Sequence, residues 1–386
     1  MLAITNGMLW PMNSPPVPDG TVLIDGGRIV EVGQNLPIPA AADVLDAAGR
    51  VVMPGLIDAH SHLGMWESLN GDEGADGNEG THPITPQMRA VDGFCPSDIT
   101  VREAREAGVT CVAITPGSAN VIGGTAAVVK TAGHRVDDMV VRDPVAMKCA
   151  FGKNPKSKYG GAGKAPATRM AIAALIRETM EKARRYQQRI EAAKDAPDSL
   201  PDYDAKLEAL LPVLRRQIPL KCHAHRADDM FTALRLAREF DLRITLDHAT
   251  DGALIAADLA REGVACIVGP SFGHRSKYEL QHKSFRTAGV LAAAGVKIAI
   301  TTDAPVTPQD SLPIMAGLAA RDGLPEEQAL LAITRWPAEI LGIDDRVGTL
   351  AVGKDADVVV FDGHPLHLGS RPWRVFVNGQ AVHQEE

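Results

Sequence analysis

Two histidines one residue apart close the apolar run Val51-Val52-Met53-Pro54-Gly55-Leu56-Ile57-Asp58-Ala59-His60-Ser61-His62. Side chains alternate faces along a β-strand, so His60 and His62 point the same way and can grip one ion. Pro54-Gly55 marks a kink, and the chain turns loop-like after His62, which puts both imidazoles at the carboxyl end of the strand. Such pairs also arise by chance on polar strand faces, so the rest of the chain has to decide. Three further runs stay apolar until their last residues and then offer a metal ligand. They are 219–226 with His223 and His225, 244–248 with His248, and 298–305 with Asp303. A purely structural strand has no need of histidine there.

These ligands require strand ends gathered in one place. Between residues 51 and 344, strand-like stretches at 109–115, 126–131, 145–150, 220–225, 243–248, 264–268 and 297–302 follow the first. Helical periodicity fills several gaps, at 97–107 with Ser97 as N-cap, 228–240, 252–262 and 284–294. Eight such alternations predict an α/β fold, a TIM-like (β/α)8 barrel whose site lies at the carboxyl ends of its strands. A doubly wound open sheet is the alternative, and no dinucleotide-type glycine fingerprint supports it. Residues 1–50 and 345–386 carry short β-runs, with hairpin signals at Gly26-Gly27 and Asn378-Gly379. Neither end can bury a sheet face alone, so both are expected to form one small β-sandwich domain. Two segments exceed a minimal barrel: the loop 71–96, and a helical insertion at 168–196 followed by 203–216. In the insertion Ile172, Leu175, Ile176, Thr179, Ala183, Tyr186 and Ile190 recur near helical spacing, as in a structural cover or a subunit contact.

Composition removes several classes. The chain of 386 residues carries a net charge of -8 and no basic run, so nucleic acid is not an expected partner. Its five cysteines are odd in number, widely spaced and without a Cys-x-x-Cys pair, as in a reducing compartment. No stretch approaches the roughly 20 apolar residues of a membrane span, and no leader pattern opens the chain, so the reading is cytoplasmic. A small-molecule substrate and a homo-oligomer are the expected partners.

Taken with the closing segment Gly348-Thr349-Leu350-Ala351-Val352-Gly353-Lys354-Asp355-Ala356-Asp357, these motifs resemble the amidohydrolase superfamily of metal-dependent hydrolases, in the branch of imidazolonepropionase and prolidase-like enzymes. The resemblance runs nearly end to end. It implies that His60 and His62 hold the more buried metal, and that Asp303 touches it and takes the proton from the attacking water. His223 and His248 would hold a second ion or, in one-metal relatives, one of them would address the substrate. His225 shares the parity of His223 and stays open as a metal or substrate contact. In two-metal relatives a carboxylated lysine on the fourth strand bridges the ions, and Lys148 stands in that strand; the alternative is a lysine reaching solvent at the rim. The ion, with zinc the expected metal, would lower the pKa of water toward about 7 and polarise a carbonyl. The implied reaction is hydrolysis of a C–N bond in an amide or cyclic amide, with Asp303 returning the proton to the leaving nitrogen.

For the substrate, the segments 79–89 and 116–124 overhang the expected mouth and bring Asn120 with them. Arg226 and Arg89 are candidates to bind a carboxylate through paired hydrogen bonds, or else to pair with acidic neighbours. Deamination of an aminated heterocycle is the alternative enzyme, and a catalytically silent scaffold the alternative to an enzyme. With His60, His62, His223, His248 and Asp303 all present, the enzyme is favoured over the scaffold.

Overall fold

The computed structural model describes residues 1–67, 71, 73–195 and 200–385. Among the described residues, two eight-stranded sheets organise the fold. The first is made from both ends: β1 (Leu2–Leu9), β2 (Val17–Asp25), β3 (Arg28–Gln34), β4 (Asp43–Asp46) and β5 (Val51–Pro54), joined much later by three C-terminal strands. Its hairpin β2–β3 turns at Gly26-Gly27, both at positive φ, where a side chain would be strained. The second sheet comprises β6 (Leu56–Ser61), β7 (Val109–Ile114), β8 (Ile122–Lys130), β9 (Val140–Ala150), β10 (Leu220–Ala224), β11 (Ile244–His248), β12 (Ala265–Val268) and β13 (Ile298–Ile300), hydrogen-bonded in that order. The returning strands are β14 (Val358–Phe361), β15 (Pro372–Val377) and β16 (Gln380–Gln384), and the terminal sheet reads β16-β15-β14-β5-β1-β2-β3 with β4 paired to β1.

Instead of a two-sheet sandwich, the termini therefore form one continuous hydrogen-bonded sheet. It also takes in Val51–Pro54, which pairs with β14 and β1. The kink at Gly55 is where the chain leaves this sheet for the next. Gly55 is required there because a Cβ would fall 2.0 Å from Thr110 Oγ1.

The second sheet is nearly closed. His62 N–H donates to Ala304 O at 2.8 Å, and Thr302 donates to Asp58 Oδ2 through both N–H (2.9 Å) and Oγ1 (2.7 Å), so its outer strands β6 and β13 are tied edge to edge. Its strands are almost entirely buried because both faces are covered, and most of their residues are apolar. Ala59, Ala113, Ala126, Ala146 and Ala299 pack with Ile57, Val128 and Ile267 in its interior, so small side chains fill the space and few aromatics are needed.

One strand departs from the expected eightfold β/α alternation. β8 runs antiparallel to both β7 and β9, whereas the other neighbours in this sheet are parallel. Residues 115–121 and 131–139 are its only connections, and a parallel crossover needs a dozen or more residues. The reversal sends Lys130, at the end of β8, out of the opposite end of the sheet into the terminal strands. There, buried, it pairs with Asp357 (2.5 Å) and Asp355 (3.1 Å), and Asp355 also meets Arg28 and Arg346. Lys130→Met should destabilise the fold by about 3 kcal/mol, near the low end for a broken buried pair because Asp355 keeps two arginines. The check is the denaturant midpoint, and an unchanged midpoint would show the clamp to be energetically idle.

Helices cover the second sheet. Ile99–Glu106 is capped by Asp98, whose carboxylate accepts from Thr100 N–H, in place of the expected Ser97. The insertion forms the helix Arg169–Ala192, capped by Thr168, which buries Ile172, Ile176, Thr179, Met180, Ala183 and Tyr186. Arg177 pairs with Glu239 of the neighbouring helix Ala227–Phe240, so the insertion is a cover over that helix; its expected last residue, Ala196, lies outside the described residues. Among the described residues no helix is long and apolar enough to cross a membrane. All five cysteines are free, and four are buried.

Candidate metal centre

The carboxyl rim of the second sheet collects the titratable groups. His60 lies at the end of β6 and His62 just beyond it, β9 carries Lys148, β10 brings His223, β11 ends in His248, and Asp303 follows β13. Asp303 Oδ1 lies 3.3 Å from His60 Nε2 and 3.1 Å from His62 Nε2. Lys148 Nζ is 3.3 Å from His60 Nε2, and the rings of His223 and His248 have centroids 4.4 Å apart. His60, Lys148, His223 and His248 are all buried.

The other nitrogen of each imidazole is spent on the scaffold. His62 Nδ1 meets Thr115 O at 2.6 Å and His248 Nδ1 meets Gly269 O at 2.7 Å. A carbonyl only accepts, so both protons sit on Nδ1. His60 Nδ1 lies 2.8 Å from Asp247 Oδ2, an ion-pair approach without hydrogen-bond alignment, and His223 Nδ1 bonds Ser118 Oγ at 2.9 Å. The Nε2 lone pair of His62 consequently faces the Asp303 carboxylate, acceptor against acceptor, with His60 Nε2 beside the same oxygen. A cation among them removes that conflict. His223 Nε2, His248 Nε2 and Asp303 Oδ1 are likewise buried without a hydrogen-bond partner. Neutral imidazoles with anchored Nδ1 atoms, plus a carboxylate, are the donor set of a divalent transition metal, so the residues fit such an ion.

The electrostatics agree. Burial pushes the His248 pKa down to about 3, takes His223 and His225 well below the usual histidine value, and lowers His62, so all four are held neutral and able to bind a metal. Burial also brings Lys148 down to about 8. For Asp303 burial works the other way, but the neighbouring His248, His60 and His62 outweigh it and keep the group a carboxylate. Its backbone adopts the left-handed region (φ 53), as does that of His248 (φ 71). Strain at two candidate ligands is stored where neighbours over-determine the conformation. For Asp303 the restraint is Asp58, which holds Thr302 on one side and the Gln309 amide on the other.

Above the rim opens a cavity of about 550 Å³, walled by His62, Trp66, Ser118, His223, His225 and Asp303 and by the loop that follows β12. Trp66 stands edge-on to His62 with centroids 4.9 Å apart. Gly77 leaves room for it, since a Cβ would fall 2.0 Å from the indole.

Of the expected substrate contacts, only His225 lines the cavity. Its Nδ1 bonds Thr250 Oγ1 at 2.8 Å, and its Nε2 lies 4.0 Å from Glu279. Arg89 is paired with Asp143 on the surface, and Arg226 makes two 2.8 Å bonds to Asp228; each is satisfied by an acidic neighbour and neither reaches the site. Asn120 is buried, and its amide holds Glu79 O, His82 O and Thr85 Oγ1, so it braces the overhanging segment and does not line the cavity.

Sequence reasoning also passed over Asp247, Glu279 and Trp66. The signal for Asp247 is its parity: it lies on the face of β11 that points into the sheet interior, directly before a candidate ligand. It sits between His60 Nδ1 and Lys221 Nζ, the latter 3.2 Å away. Asp247→Asn should weaken metal affinity 10- to 100-fold, the usual effect of losing a ligand's anchoring carboxylate. A metal titration by a competing chelator measures it, and an unchanged affinity would make Asp247 purely structural.

The chain belongs to the amidohydrolase family of carbon–nitrogen hydrolases, whose family model matches residues 51–383. An amidohydrolase of known structure from Thermotoga maritima MSB8 is 39% identical and superposes with a TM-score of 0.97, covering all of both chains. Imidazolonepropionase of Cereibacter sphaeroides is 28% identical over 93% of this chain and 92% of its own length. Amidohydrolase tasK of Hapsidospora irregularis is 30% identical over 94% of this chain, which spans only 40% of that relative's length.

Proposed function

We propose that the protein is a metal-dependent hydrolase that cleaves the C–N bond of an amide or cyclic amide in a small molecule, on a TIM-like barrel whose third strand is reversed. Residues 1–50 and 345–386 would be its satellite domain. The observation that carries this reading is the convergence of His60 Nε2 and His62 Nε2 on the Asp303 carboxylate, with the Nδ1 atoms of His62 and His248 anchored on backbone carbonyls. Imidazolonepropionase among the relatives supports a cyclic amide.

His60, His62 and Asp303 would hold the first ion, and His223 and His248 a second, with Lys148 as a carboxylated bridge. Zinc suits the nitrogen and carboxylate donors. A bound divalent ion supplies Lewis acidity, which acidifies water and polarises a carbonyl. Asp303 accepts the proton of the attacking water and delivers it to the departing nitrogen. His225 faces the same cavity and can position the carbonyl side of the substrate, while Trp66 and Phe272 exclude solvent. The buried free cysteines fit a reducing compartment such as the cytoplasm.

Metal analysis of purified protein, followed by a screen of lactams, dipeptides, N-acyl amino acids and aminated heterocycles, tests the proposal. The expected result is a divalent transition metal and cleavage of a compound from the first three groups. Ammonia release from a heterocycle would instead make the enzyme a deaminase, and protein that neither takes up metal nor turns over any member would end the hydrolase reading.

A further inference from the structure

Part of the cavity wall is one loop, folded back on itself between β12 and the helix Arg286–Ala293, with its Glu279 4.0 Å from His225 Nε2. Arg275 Nε donates to Gln281 O at 2.8 Å and its Nη2 to Lys283 O at 3.3 Å. Phe272 packs edge-on against Phe285 with centroids 5.3 Å apart, closing the base. This loop therefore presents its side chains from a braced frame.

Two of those side chains are cations, and they differ in how their charge is used. Lys277 is matched by Glu279 at 2.9 Å and also bonds Asn154 Oδ1. Lys283 is half-buried, gives one N–H to Phe272 O, and among the described residues has no carboxylate within ion-pairing reach. Asp303 is the only carboxylate lining the cavity among the described residues, and its charge is directed at His60 and His62. An ammonium keeps three donors, so Lys283 has donor capacity left over in a partly dry wall. Burial pulls its pKa down, with Lys277 and Arg275 adding to the effect and Asp303 only partly offsetting it, as expected of a cation awaiting an anion.

We infer that Lys283 binds a carboxylate on the substrate within this cavity, with the apolar face of Phe272 beside it. This rests on the proposed hydrolase and narrows its substrate to a monoanionic amide, such as an N-acyl amino acid or a cyclic amide bearing an acid side arm. A lone ammonium without an arginine fork or a set of backbone N–H groups suits a single negative charge better than a phosphate.

The test measures binding, so it does not depend on turnover. The N-acetyl derivatives of glycine, leucine, phenylalanine and proline are titrated calorimetrically into the metal-loaded protein beside their carboxamides. At least one acid should bind about 10-fold more tightly than its amide, in keeping with one charge-assisted contact. Lys283→Met should abolish that preference, and Lys283→Arg should retain most of it. Metal content should be the same in all three proteins, which separates loss of this contact from loss of the metal centre. If no acid is preferred over its amide, the inference is wrong. A preference that survives intact in Lys283→Met would place the carboxylate on the metal side and overturn it equally.

Discussion

Asp303→Asn should lower kcat by a factor on the order of 10²–10⁴, the usual worth of a positioned general base, with a smaller change in KM. The carboxylate is the point on which His60 and His62 converge, and Asp58 fixes the loop that bears it. Asn has nearly the same shape, so the fold should hold. Its amide cannot accept the water proton, and it replaces a full negative charge among the metal donors with a dipole, so some metal affinity should also go. Steady-state kinetics at saturating metal isolates the proton-transfer part. A variant that keeps its metal and turns over a genuine substrate at the wild-type rate would remove Asp303 from the mechanism.

Removing the buried amine is expected to have the second large effect. Lys148 and Lys221 are register partners on β9 and β10, both buried, yet they do different things. Lys221 donates to Ala59 O and to Asp247, and so is committed to the scaffold. Lys148 points at His60 Nε2, within the ligand cluster. If it bridges two ions as a carbamate, Lys148→Ala should reduce the metal content from about two to about one per chain, and short carboxylic acids should restore part of the activity. A wild-type content near one that the substitution leaves alone would make Lys148 a structural residue.

Much of this centre was legible because β-strand parity is strict. His60 and His62, and likewise His223 and His225, had to share a face, and apolar runs that end in ligands had to converge once the strands lay side by side. Asp303 was marked by its place after Ile298–Ile300, although the left-handed backbone that aims it has no sequence signature in an aspartate. Three features escaped for physical reasons. The reversal of β8 was encoded in connections too short to cross a sheet, a constraint of length that residue patterns do not display. Arg89 and Arg226 look like anion binders in any loop, and only the folded chain shows that Asp143 and Asp228 have already claimed them. The wall that carries Lys283 lies between β12 and the next helix, where periodicity is absent and side-chain direction depends on contacts such as those of Arg275.

The terminal sheet has a consequence for how the chain is made. β5 finds its antiparallel partner, β14, only some three hundred residues later in the register Val52↔Val360, and β15 and β16 follow later still. During synthesis the early strands β1 to β5 must wait beside the ribosome with the edge of β5 bare, while the sheet from β6 to β13 emerges and closes. A bare apolar edge is where one nascent chain can pair with another. β14 therefore acts as a seal, and that edge is shielded only after the sheet from β6 to β13 has been made.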